Sequence, residues 1–247
     1  MANSPEKKEM KTILEKERDQ QINEIEKKLA EVKEYVFQLC PDQIVASLKK
    51  CKKKLKWSKK MIIKNYNEPT TPYPRTDIEE GLKKISNNNI IILILESPHT
   101  DEFAENKING PAFGQTGKNI NNYLVKTLNK KSRLKNYILP EEKTCKIIIV
   151  NAIQYACSCG INLDVLKDSM LKNVWEHDEV KEDFRNRIEI IKKASTKKLV
   201  VINCCTKPIK ESVGNEIKKV FNENIYEAPH PAYWSRTKDL PKIKKPK

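Results

Sequence analysis

Long apolar runs are missing from this chain. The longest, such as Ile90–Leu95 and Ile147–Val150, are far too short to span a bilayer. The opening MANSPEKKEM lacks the apolar h-region of a secretory signal. Both absences lead to the expectation of a soluble, cytoplasmic protein with no membrane partner. Paired cysteine motifs are missing as well. The seven cysteines, Cys40, Cys51, Cys145, Cys157, Cys159, Cys204 and Cys205, contain no C-x-x-C, and their spacings fit no zinc module. An odd number without a secretory signal points to reduced thiols acting as small buried hydrophobes. Acids are in the minority: 33 Asp and Glu stand against 48 Lys and Arg, a formal net charge of +15. Such an excess points to a polyanionic partner, nucleic acid ahead of a membrane surface. A Lys-, Ile- and Asn-rich composition is itself a second source of the excess. Internal repeats are absent, and histidine is scarce, with three in the chain.

What is present suits one medium domain plus an extension, since 247 residues can bury a core large enough to fold alone. Ser4 and Pro5 read as the N-cap and first position of a long charged helix running to Leu39. Along it Ile22, Ile25, Leu29, Val32, Val36 and Leu39 repeat at alternating spacings of three and four, a heptad seam. That seam suits self-association, a partner helix or docking onto the main domain. Pro41 ends it. The following SLKKCKKKLKWSKKMIIK is a basic run around Trp57, either a solvated helix face or a phosphate-contacting helix. Pro69, Pro72 and Pro74 then mark a linker. The expected organisation is therefore a helical, basic extension over 1–75 and a second domain over 76–247.

In the second domain Ile90–Leu95, Lys146–Val150 and Leu199–Asn203 are near-continuous apolar runs, as in strands buried on both faces of a parallel sheet. NIYEA, before Pro229, is a short fourth candidate. Helical stripes lie between them: Ile120, Tyr123, Leu124 and Leu128; Val180, Phe184, Ile188 and Ile191; Ile209, Val213, Ile217 and Val220. The expectation is a three-layer α/β/α domain with a short four-stranded parallel sheet and right-handed crossovers. The closing RTKDLPKIKKPK reads as a basic tail, flexible at its end.

An open parallel sheet binds its ligand beyond the carboxyl ends of its strands. Those ends carry Glu96-Ser97-Pro98-His99, then Asn151, then NCCTKP, and lastly APHPAYWSR with His230 between prolines. A connecting loop has no need of the ionisable density found in LESPHTDEF, Leu95–Phe103. Two of the three histidines, a Glu and an Asn are thus expected on one edge.

The order and spacing of these segments resemble the uracil-DNA glycosylase superfamily. LESPH stands where that superfamily has G-E-A-P-G or G-Q-D-P-Y, and HPAYWSR stands where it has H-P-S-P. GPAFGQTGKNINNYL is similar to its segment in which Pro and Phe precede a Gly that opens a helix. IIIVNAIQY resembles the strand whose terminal Asn reads the base. The likeness runs from about Ile90 to Arg236 and includes nothing of the first 75 residues.

The resemblance implies a monofunctional DNA glycosylase that needs no metal and no cofactor. Phe113 would stack on a flipped-out base, and Asn151 would hydrogen-bond its Watson–Crick edge. His230 would donate to the departing base anion, as a neutral imidazole. Glu96 matches the Glu of G-E-A-P-G, whereas the acid of G-Q-D-P-Y falls on Ser97, which is no strong base. The water-activating residue therefore lies open between Glu96 and Asp101. His99, with Ser97 beside it, falls where other members exclude or admit a thymine methyl. Trp234 matches the intercalating side chain, with Tyr233 next to it; core packing of both aromatics is the competing reading. Ser235, Arg236, Gly114, Gly117 and Lys118 are placed for the DNA backbone. The cysteines do not match the four that hold an iron–sulfur cluster in some members, so no cluster is expected. Double- or single-stranded DNA is the expected partner, and uracil or a modified pyrimidine the expected base. A modified cytosine in phage DNA, which would make this a defence protein, and a non-catalytic nucleic-acid-binding module are the alternatives.

Overall fold

The computed structural model describes residues 16, 20, 23, 40, 42–51, 54–59, 87–99, 102, 110–138, 144–157, 167–195, 197–236 and 239–246. The apolar runs form the strands expected of them. β3 (Asn89–Leu95), β4 (Thr144–Asn151), β5 (Leu199–Asn203) and β6 (Ile225–Glu227) pair in parallel, in the order β4-β3-β5-β6. Every residue of β3 is buried, which suits its β-branched isoleucines in a strand packed on both faces.

Among the described residues the sheet has six strands, not four. β1 (Gln43–Cys51) pairs antiparallel with β4, and β2 (Lys54–Lys59) pairs antiparallel with β1. The basic segment expected as a helix in the extension is therefore a hairpin in the same sheet as the later strands. The run of lysines hides a period of two: in β2 Leu55 is buried while Lys54, Lys56 and Ser58 are exposed. In β1 Val45, Ala46 and Leu48 supply the buried apolar residues.

Five helices accompany the sheet among the described residues: α1 (Gln115–Lys130), α2 (Ser132–Ile138), α3 (Lys167–Glu176), α4 (Asp178–Ala194) and α5 (Lys207–Val220). The stripes anticipated in α1, α4 and α5 supply their buried faces. Alternation along β3 divides the core. Ile91, Leu93 and Leu95 pack with Ile120, Leu124 and Leu128 of α1 and with Leu134 and Ile138 of α2. Ile90, Ile92 and Ile94 pack with Leu171 and Trp175 of α3, Phe184 and Ile188 of α4, and Val213 and Ile217 of α5.

α1 also closes the sheet edge at β2. Leu55 donates its amide to Asn129 Oδ1 at 2.8 Å and accepts from Asn129 Nδ2 at 3.0 Å. Trp57 Nε1 donates to the Asn121 carbonyl at 3.1 Å. A lone edge would template further strand pairing, and these bonds cover part of it.

The basic C-terminal segment, expected to be flexible at its end, is docked at Ile243 and Lys244. Ile243 is buried in the core, and Lys244 exchanges two backbone hydrogen bonds with Glu227 on β6, at 2.7 and 3.0 Å. β6 otherwise ends the sheet, so its free backbone groups find partners there. Near the N-terminus Lys16, Gln20 and Asn23 are each helical and exposed. The heptad seam from Ile22 to Leu39 lies outside the described residues, as does the Pro-rich linker. Among the described residues no helix is long and apolar enough to cross a membrane.

Candidate active site

β3 is the first strand of the parallel set, with β4 on one side and β5 on the other. The chain order reverses there, so the loops leaving β3 and β5 part and open a crevice at the switch point. A cleft of about 1170 Å³ occupies that position. Glu96, Ser97 and His99 after β3, Cys205 and Thr206 after β5, and His230 after β6 line it, together with Gly114 and Lys118 at the start of α1. Three of the four strand ends singled out in the sequence thus meet on one edge.

Glu96 is buried and fixed from both sides of its backbone. Its carbonyl accepts from the Ile153 amide at 2.9 Å, and the preceding Leu95 carbonyl accepts from Ala152 at 2.8 Å. Its carboxylate Oε2 accepts from the Thr206 amide at 3.2 Å and from the Thr206 hydroxyl. Thr206 is the N-cap of α5, yet its hydroxyl serves Glu96 and caps no amide of its own helix. That arrangement locks the carboxylate against one wall and leaves Oε1 without a protein donor among the described residues.

His230 caps a short 3-10 turn, Pro231–Tyr233, and its Nδ1 accepts from the Ala232 amide at 3.3 Å. An acceptor at Nδ1 puts the ring proton on Nε2, the donor form of a neutral imidazole. The turn is held to α1 by Asn119, whose Nδ2 donates to the carbonyls of Pro231 and Ala232 at 2.8 and 3.1 Å and to Ser235 Oγ at 3.3 Å.

Trp234 is not an exposed wedge. It is 1 % exposed and part of the core, and its Nε1 donates to the Pro229 carbonyl at 2.8 Å. Tyr233 is the outward aromatic, 44 % exposed, with the Arg236 guanidinium 4.8 Å from its ring centre. Both line the cleft. Ser235 is exposed beside them. Gly117 is buried on the inner face of α1 in line with Ile120 and Leu124, so a backbone contact to DNA is closed to it.

Asn151 ends β4 as expected, but it does not line the cleft. It is 1 % exposed, and neither Nδ2 nor Oδ1 has a hydrogen-bond partner among the described residues. Its place is fixed by Arg187 of α4, which donates to the carbonyls of Asn151 and Ala152 at 3.1 and 3.2 Å. Arg187 also grips both oxygens of Asp42 at 2.9 and 2.8 Å and Asp183 at 2.8 Å. Burial opposes its charge, but these two carboxylates outweigh that and hold the guanidinium above its ordinary pKa. Phe113 is half-buried on the loop entering α1, directly after Ala112, whose φ of 59° is unusual for a residue with a side chain. Asp101 lies outside the described residues.

Two further groups in the cleft have no role in the motif comparison. Glu102, adjacent to Asp101, is buried, lines the cleft, and accepts from the Ala112 amide at 2.9 Å and the Cys40 thiol at 3.7 Å. Burial pushes its carboxyl up to about 8, against the pull of the Ala112, His99 and Phe113 amides. It is therefore a protonated acid at neutral pH. Thr206 is the second, and its signal was the Thr before Lys-Pro in NCCTKP, an N-cap pattern. The thiols beside the cleft are inert: burial pushes Cys204 up to about 12, and burial with the charge of Glu96 raises Cys205.

Comparison of the chain with protein-family models, with curated proteins and with solved structures returns no significant match.

Proposed function

We propose that this protein is a DNA glycosylase of the uracil-DNA glycosylase type, hydrolysing the N-glycosidic bond of a flipped-out pyrimidine. The observation that carries this reading is the meeting of Glu96 and His230, 134 positions apart in the chain, on one cleft at the switch point of the sheet. The motif resemblance from Ile90 to Arg236 and the helices packed on both faces of β3 support it, the latter in agreement with a three-layer domain.

In this reading the bond between C1′ and the base nitrogen breaks, positive charge develops on the sugar, and the base leaves as an anion. Glu96, held by Thr206, orients a water and takes its proton as that water adds to C1′. The Nε2–H of His230 donates to the base oxygen on which negative charge collects. One such donor in a dry pocket contributes about 3–4 kcal/mol to the transition state. The edge-reading role expected of Asn151 is not carried into this reading, because its buried amide lies outside the cleft that Glu96 and His230 line. Phe113 gives the stacking surface. Tyr233, in place of Trp234, fills the gap left in the base stack, and Arg236 and Lys118 hold phosphates.

Incubation with duplex and single-stranded oligonucleotides carrying single altered pyrimidines, scored for alkali-labile abasic sites, tests the reading. At least one substrate is expected to give abasic sites with wild type, with a loss of about 100-fold in Glu96→Gln or His230→Ala. Excision by both variants at the wild-type rate would sink it.

A further inference from the structure

The cleft is larger than one base needs. Pockets for a single small ligand run to roughly 300–1,000 Å³, and this one is about 1170 Å³. It continues along α5. Lys207, Lys210, Glu211, Gly214 and Lys218 all line it, and their spacings of three and four put them on one face of the helix. From Lys207 to Lys218 the helix rises roughly 16 Å. The opposite wall is the outer edge of the sheet. Ile225 and Glu227 are alternate residues of β6, and Glu227 is the bridge partner of Lys244, so the three share one face. All three line the cleft, with Pro246 at the rim. The C-terminal segment thus widens the sheet past β6. Between that edge and α5 runs a trough leading away from Glu96 and His230.

The trough is positive and open at its middle. Lys207, Lys218 and Lys244 are exposed, and among the described residues no carboxylate pairs with any of them. Lys210 instead shapes the wall: its Nζ donates to the Cys205 and Ala228 carbonyls at 2.9 and 2.6 Å, tying α5 to the ends of β5 and β6. These four cations face two carboxylates, Glu211 and Glu227. Glycine in a helix interior costs stability relative to alanine, yet Gly214 is not required by packing or by conformation. A Cβ there would meet Asn203 Nδ2 at 3.6 Å, an ordinary contact, and the backbone is helical. What the glycine leaves is room in the trough. The walls are consecutive elements of one unit, α5 leading directly to β6, which leaves no width for a duplex. A positive groove that tracks the backbone is how single strands are held without sequence preference. We propose that this trough binds a single strand of nucleic acid, continuing the strand whose base enters the Glu96–His230 end. Lys207, Lys218 and Lys244 take its phosphates, and Gly214 lets a nucleotide pass. The proposal rests on the glycosylase reading for the class of partner, and adds to it an unpaired flank beside the target base.

Fluorescence anisotropy with the full chain tests this without any catalytic step. The probes are a labelled oligothymidylate of about 12 nucleotides, its duplex with oligoadenylate, and a polyglutamate peptide. Wild type is expected to bind the single strand. Lys218→Gln combined with Lys244→Gln should weaken that binding about tenfold and lower the slope of log affinity against log salt by roughly 1.4, as two lost phosphate contacts on a single strand require. Gly214→Ala should bind as wild type does. Gly214→Gln, a good helix former whose side chain fills the trough, should weaken single-strand binding about tenfold, with duplex binding unchanged and Tm at or above that of wild type. No binding of the single strand by wild type, single-strand binding unchanged in both the double-lysine variant and Gly214→Gln, or equal binding of polyglutamate overturns the proposal. If the expected changes are found but no oligonucleotide yields abasic sites, hydrolysis fails as the function while the trough stands. If abasic sites form and neither variant loses single-strand binding, the trough falls and the glycosylase reading stands.

Discussion

Burial decides the behaviour of Glu102. Its carboxyl is raised to about 8 from an ordinary 4.5, so the folded chain binds that proton more tightly than the unfolded chain does. The stability it contributes is complete below pH 4.5 and is lost as pH rises through 8, at about 1.4 kcal/mol per pH unit in between. Urea denaturation of wild type between pH 5.5 and 8.5 should show that loss, and Glu102→Gln should remove it. A pH-independent difference between the two proteins would mean that Glu102 is ionised in the fold. Neighbouring aromatics separate equally well. Trp234→Ala should cost about 3–5 kcal/mol in stability, as expected for an emptied core site. Tyr233→Ala, at an exposed position, should leave stability within about 0.5 kcal/mol and weaken action on duplex DNA more than on single strands. The sequence placed an aromatic pair here correctly, but nothing in Tyr-Trp says which ring turns inward. That depends on the Pro229 carbonyl, which takes the indole N–H.

At the scale of elements, Asn119 couples α1 to the turn that carries His230. Its replacement by Ala removes three donated bonds, and the turn then relies on its own backbone. Asn119→Ala should lower the rate of excision by about tenfold or more, through misplacement of His230, with a stability loss of about 1–3 kcal/mol. Single-turnover kinetics beside thermal melts would check this; an unchanged rate would show that the turn is rigid without α1. The strands β3, β4 and β5 were legible because burial on both faces leaves a near-continuous apolar run, and α1, α4 and α5 because their stripes keep helical spacing. The hairpin β1–β2 was not, since lysines on alternate positions of an exposed face look like a basic helix when clustered. α2 is short and α3 lies between longer stretches without a clear stripe. Of the site, Glu96 and His230 could be read from the ends of strands. The N-cap place of Thr206 could be read, but its contact with Glu96 could not, because pairing across more than 100 residues leaves no local mark.

At the scale of the whole molecule, the proposed function makes charge the determinant of an encounter with DNA. A formal net charge of +15, with Lys118 and Arg236 at the cleft and Lys54 and Lys56 exposed on β2, should make affinity fall steeply with salt. For six or more phosphate contacts the expected loss is about 1,000-fold between 50 and 200 mM. Fluorescence anisotropy with a labelled duplex measures this directly, and a flat dependence would remove phosphate contacts from the account. The central claim is that Glu96 and His230 act on one glycosidic bond. Its most direct test is single-turnover formation of abasic sites on a panel of modified-pyrimidine oligonucleotides by wild type, Glu96→Gln and His230→Ala. The account predicts excision of at least one base by wild type and a fall of about 100-fold in each variant, with the fold intact. Excision that persists at the wild-type rate in both variants, or none on any substrate by the intact protein, would contradict it.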